Sequence, residues 1–98
     1  MRVADLWVLG FHVDVIQSAT VDDNGEWDPK RQRILLSEDL AGQAILHTLY
    51  HEIMHAILWF CHGQKSKFTE EECCDAAALM APMAAELLRV ATEIEEGR

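Results

Sequence analysis

Thr48-Leu49-Tyr50-His51-Glu52-Ile53-Met54-His55-Ala56-Ile57 is the stretch on which the reading of this chain turns. Apolar residues at Ala44, Leu46, Leu49, Ile53, Ile57 and Phe60 recur at helical spacing around it, which predicts a helix. Ser37 is a candidate N-cap, and Glu38 and Asp39 suit the positive end of the helix dipole. The helix is expected to run to about Phe60, and Gly63 suits its end. A spacing of four residues puts His51 and His55 on one face, one turn apart. Each imidazole then offers a nitrogen about 2 Å from a shared zinc ion. Glu52 lies about 100° around the axis from His51, at the edge of that face. It is placed to take a proton from a water activated by the metal without itself being a ligand. Two histidines and a glutamate among Leu49, Tyr50, Ala56, Ile57, Leu58 and Trp59 are costly to bury unless something binds them. The competing reading is an accidental motif on an ordinary amphipathic helix.

Upstream of this helix the chain reads as strands. Trp7 to Ser18 is rich in Val, Ile, Phe and Trp, with Phe11, Val13 and Val15 alternating with His12 and Asp14. Gly10 within that run suggests a bulge or bend. Asp22-Asp23-Asn24-Gly25 is a turn signal. A short strand is expected around Glu26 and Trp27, a turn at Asp28-Pro29-Lys30, and another strand from Gln32 to Leu36. The expected fold class is α+β: a small antiparallel sheet of about three strands, then the motif helix, then a second helical segment kinked at Pro82.

Downstream, Gln64 to Lys67 reads as a polar loop. Thr69 opens the second helical segment, and Glu72 three residues later completes a capping box. Pro82 must kink or restart the helix. Met83, Leu87, Leu88, Ala91 and Ile94 then recur at helical spacing up to Glu95-Glu96-Gly97.

A catalytic zinc site takes three protein ligands and a water. The second helix supplies Glu70, Glu71, Glu72, Cys73, Cys74 and Asp75. The capping box engages Glu72, so Glu71 is expected as the third ligand, with Glu72 the alternative because helix ends are uncertain by a residue or two. Asp75, four residues after Glu71, is placed to hold the second ring nitrogen of a ligand histidine. His47, His51 and His55 form a row, but its outer members are about 12 Å apart along the axis, so His47 is read as supporting or exposed. Cys73 and Cys74 read as small helix residues, since adjacent sulfurs do not suit one structural zinc site. Tyr50, the only tyrosine, points away from His51, and no clear oxyanion donor is visible.

The pattern His51-Glu52-x-x-His55 followed by Glu71-x-x-x-Asp75 resembles the gluzincin arrangement. With the strand-rich opening and the Thr48 to Ile57 stretch, the chain resembles small phage- and prophage-encoded metallopeptidases related to the ImmA/IrrE family. That resemblance implies a zincin-like fold and a zinc peptidase acting on a protein or peptide, often a phage or host regulator. The run Ala76-Ala77-Ala78 and Pro82 carry none of it.

Bulk properties bound the rest. The 98 residues fit one domain spanning 1–98. A formal charge of −9 repels nucleic acid backbones and anionic lipid, so neither is expected as a partner. Three cysteines, no visible secretory signal and no uninterrupted apolar span point to a reducing, cytoplasmic setting. Two function classes follow: a zinc peptidase with Glu52 as general base, or a non-catalytic zinc-containing module of phage or prophage origin that docks a protein partner.

Overall fold

The computed structural model describes residues 2–21, 23–65 and 67–97; Asp22 of the expected turn and Ser66 of the expected loop lie outside them. The fold is α+β, and its elements run β1 (Arg2–Val8), β2 (Phe11–Ser18), β3 (Gly25–Asp28), β4 (Arg33–Ser37), α1 (Gln43–His62), α2 (Glu70–Met80), a short 3-10 turn (Ala81–Met83) and α3 (Ala84–Glu96).

The sheet differs from the expected three-stranded antiparallel meander. It has four strands in the order β1-β2-β4-β3, with β2 and β4 parallel and the outer pairs antiparallel. Two residues explain the extra strand. Leu9 and Gly10 both have positive φ, 51° and 83°, and Val8 pairs with Phe11 across them. That is a two-residue hairpin turn whose twist matches the flanking strands, not a bulge within one strand. The inward positions accordingly change parity across it, from Leu6 and Val8 to Val13 and Val15, all fully buried. The parallel pairing follows from burial. β4 carries Ile34 and Leu36, both buried, and takes a central position. β3 is four residues long with Glu26 exposed, and a short polar strand suits an edge.

The helices cover one face of this sheet. Ile45, Leu49, Ile53 and Ile57 form the buried stripe of α1 and share one core with Leu6, Val8, Val13, Val15, Ile34 and Leu36. Leu87, Val90 and Ile94 of α3 close the same core. Their four- and three-residue spacings are those of a helix burying one face.

The start of α1 also corrects the sequence reading. Ser37 is not its N-cap. The Ser37 N–H donates to the Asn24 carbonyl at 2.8 Å, which keeps Ser37 in the β3–β4 pairing, and its Oγ accepts from the Asp39 N–H at 3.2 Å in a local turn. The helix begins five residues later, with Gly42 at the cap position and its N–H held by the Glu95 carboxylate of α3 at 3.0 Å. A negative side chain there suits the positive end of the helix. The motif thus sits in the middle of a 20-residue helix, where neither end frays.

The second helical segment follows the sequence closely. Thr69 caps α2: its Oγ1 accepts from the Glu72 N–H at 3.0 Å, and the Thr69 N–H donates to Glu72 Oε1 at 2.8 Å. Pro82 lies in the 3-10 turn that separates α2 from α3. The other oxygen of Glu72 receives Lys65 Nζ at 2.6 Å and lies 3.1 Å from His62 Nδ1, so one carboxylate ties the end of α1 to the start of α2. The Lys65 ammonium, with the Thr69 N–H, pulls the Glu72 carboxyl from 4.5 down to about 2. A lowered carboxyl stabilises the fold above its unfolded value of 4.5 and loses that contribution as pH falls toward about 2. Melting of Glu72→Gln is therefore expected below wild type at neutral pH, with the two curves converging as pH drops through this window. Parallel curves across it would show that the clasp contributes nothing to stability.

Among the described residues no helix is long and apolar enough to cross a membrane.

Candidate metal centre

The middle of α1 presents His51 and His55 outward and buries Glu52 beneath them. The two Nε2 atoms are 3.3 Å apart, and the rings meet edge to face at 4.9 Å. Two nitrogens each about 2.0–2.1 Å from one tetrahedral zinc ion lie about 3.3 Å apart. The pair therefore already has the spacing of two ligands on one ion. His51 is open, with its side chain 61% exposed, so an ion can reach the pair from solvent. Burial, then the neighbouring His51, lowers the pKa of His55 and favours the neutral imidazole that a metal requires.

Glu52 is held differently. Its side chain is 7% exposed, and its Oε2 lies 4.0 Å from His51 Nε2. Burial raises its pKa, the His51 ring opposes that shift, and Glu26 and Asp23 add to it. The Trp27 backbone N–H of β3 favours the charged form and partly offsets the burial. The strand lies close because residue 25 is glycine. A Cβ there would stand 2.6 Å from Thr48 Cγ2 and 3.3 Å from Glu52 Cγ. Gly25 thus lets the edge strand rest on the motif helix, and that contact positions the carboxylate beside the histidine pair. A carboxyl raised from its ordinary range by burial takes up a proton more readily than an exposed one.

The remaining ligand set is incomplete. Among the described residues no group of three His, Cys, Asp or Glu side chains is gathered to hold a metal ion. His51 and His55 are brought together; Glu71 is not joined to them in such a group. Glu71 and Asp75 both lie on the exposed surface of α2. Glu72 is committed to the Thr69 cap, Lys65 and His62.

A cavity of about 630 Å³ opens beside the pair, lined by Asp23, Asn24, Asp39, His47, His51 and Glu52 among others. A smaller hollow of about 110 Å³ borders His55, with Trp27, Trp59 and Phe68 in its wall. Sequence reasoning placed Asp23 in a turn and Asp39 in a helix start, and missed that both face the site. The signal available was the acidic character of Asp23 and Asp39, but only the fold brings their loops over the N-terminal half of α1.

Comparison with models of known protein families, with curated proteins and with solved structures finds no match.

Proposed function

We propose that this chain is a zinc-dependent peptidase in which His51 and His55 bind the ion, Glu71 is the third ligand and Asp75 supports the set. The observation that carries the reading is the 3.3 Å spacing of the two Nε2 atoms directly above a buried carboxylate. Bound there, zinc supplies a water of lowered pKa and polarises a peptide carbonyl. Glu52 accepts the proton of the attacking water and passes it to the leaving amine. Packing of Glu52 under Gly25 of β3 keeps it aimed at that position. β3 is an edge of the sheet and borders the site, so an extended substrate can add to it by main-chain hydrogen bonds. Glu71 is proposed over Glu72 because Glu72 is engaged by the Thr69 cap, Lys65 and His62. Resemblance to the ImmA/IrrE-related peptidases supports the same reading.

A second reading is favoured by the tip of the β1–β2 hairpin. Trp7, Leu9 and Phe11 are 67%, 42% and 47% exposed, and Phe11 stacks on Phe60 of α1 at 4.3 Å. An apolar patch of this kind suits docking of a protein partner, with the histidine pair as a non-catalytic zinc site. Incubating the zinc-loaded chain with a mixture of unstructured peptides separates the two. The peptidase yields cleavage that a chelator stops and zinc restores; intact peptides under all conditions leave the docking module.

A further inference from the structure

The two hollows lie in succession along the same two elements. Gly25 of β3 borders the larger and Trp27 the smaller; His51 and Glu52 of α1 border the larger, His55 and Trp59 the smaller. From residue 25 to residue 27 a strand advances about 6.7 Å, and from residue 51 to residue 55 a helix advances about 6 Å. Both match the repeat of alternate side chains on one face of an extended peptide, about 6.7 Å. The walls differ in chemistry. The larger hollow carries Asp23, Asp39 and the Glu52 carboxylate in a chain of formal charge −9. The smaller is walled by Trp27, Trp59 and Phe68 beside His55, with Gln64 and Lys65 also lining it.

We infer that the hollows are adjoining subsites for one extended peptide, the Asp23/Asp39 hollow taking a Lys or Arg side chain and the Trp27/Trp59/Phe68 hollow a large apolar side chain two positions away. The inference rests on the peptidase reading for its biological meaning, but its recognition chemistry stands on the walls alone. Charge complementarity selects the basic side chain, and a buried carboxylate lining the same wall rejects an acidic one. The hollow beside His55 has room for one side chain, and its three aromatic rings favour an apolar one, while the Lys65 that also lines it is held by Glu72.

The test is calorimetric titration of the full chain, chelator-treated so that no turnover interferes, with blocked heptapeptides. The probes carry Leu and Arg two positions apart in an alanine background, in both orders. Control peptides replace Arg by Glu or Leu by Asn. At least one order of the Leu/Arg probe is expected to bind about tenfold more tightly than either control. Asp23→Asn with Asp39→Asn should abolish the preference for Arg and keep that for Leu. Trp59→Leu, or Phe68→Ala if the first variant melts early, should do the reverse. Equal binding of the Glu peptide, or an unchanged Arg preference in the double variant, overturns the inference. So does loss of zinc from the double variant, because Asp23 or Asp39 is then a ligand and not a specificity residue. The stated preference without cleavage by the zinc-loaded chain counts against the peptidase reading and leaves the subsites standing. Cleavage without the preference does the opposite.

Discussion

Glu52→Gln is expected to retain zinc and to lower peptide hydrolysis by about 10²–10⁴-fold, the usual contribution of a general base. The substitution is close to isosteric. The side chain keeps its volume beneath Gly25, so β3 should stay in place over α1. What disappears is the ability to take up a proton. Burial that raises the pKa of Glu52 also makes its carboxylate a costly group in the metal-free fold. Glu52→Gln should therefore melt no lower than wild type at neutral pH without metal. Loss of activity together with retained stability and zinc assigns Glu52 to chemistry. Unchanged cleavage removes it from the mechanism, and a collapse of stability reassigns it to packing.

Gly25→Ala is expected to cost about 1–3 kcal/mol, the range for forcing extra volume into a packed contact. In a domain of this size that is about 4–8 °C in melting temperature for each kcal/mol. The new methyl would meet Thr48 Cγ2 at 2.6 Å and the Leu35 carbonyl oxygen at 3.1 Å. Thr48 is buried and β-branched, so its side chain has little freedom to turn aside. The strand must lift instead, and with it the backbone that packs over Glu52. Thr48→Ser removes the clashing methyl and should restore part of the loss, leaving the contact with Leu35. A double-mutant cycle measures this directly. Additive effects of the two substitutions would show that the close approach of β3 to α1 does not set the cost.

Much of this architecture was legible because it rests on local rules. The apolar stripe Leu49, Ile53, Ile57 set the motif helix, the Thr69–Glu72 capping box opened α2, and Pro82 ended it where the ring removes a helical N–H. Other features depended on partners distant in sequence. Leu9 gives little hint of a positive φ, so the Leu9-Gly10 hairpin was hidden within a run that read as one strand. The parallel β2–β4 pairing reflects the need to bury Ile34 and Leu36 centrally, which the turn at Asp28 does not reveal. Ser37 carried the chemistry of an N-cap, but the Asn24 carbonyl claimed its N–H first, and Glu95, 53 residues away, serves the helix start instead.

The candidate site divides along the same line. His51, Glu52 and His55 come from one helix, so their spacing alone specifies their geometry. Glu71 sits on a separate element, and helix periodicity carries no information on how α2 is turned toward α1. The cavity walls at Asp23, Asp39 and Trp59 likewise arise from loops and a helix face that only tertiary packing aligns.

The most direct measurement is the zinc content of the purified full chain, compared with His51→Ala, His55→Ala and Glu71→Gln. About one zinc per chain is expected, with one tetrahedral ion shared by the two imidazoles. Near-total loss is expected in either histidine variant and a clear reduction in the Glu71 variant, with the folded far-ultraviolet dichroism preserved in all three. Zinc that is absent from the wild-type chain after loading, or equal in wild type and His51→Ala, contradicts the proposed metal centre.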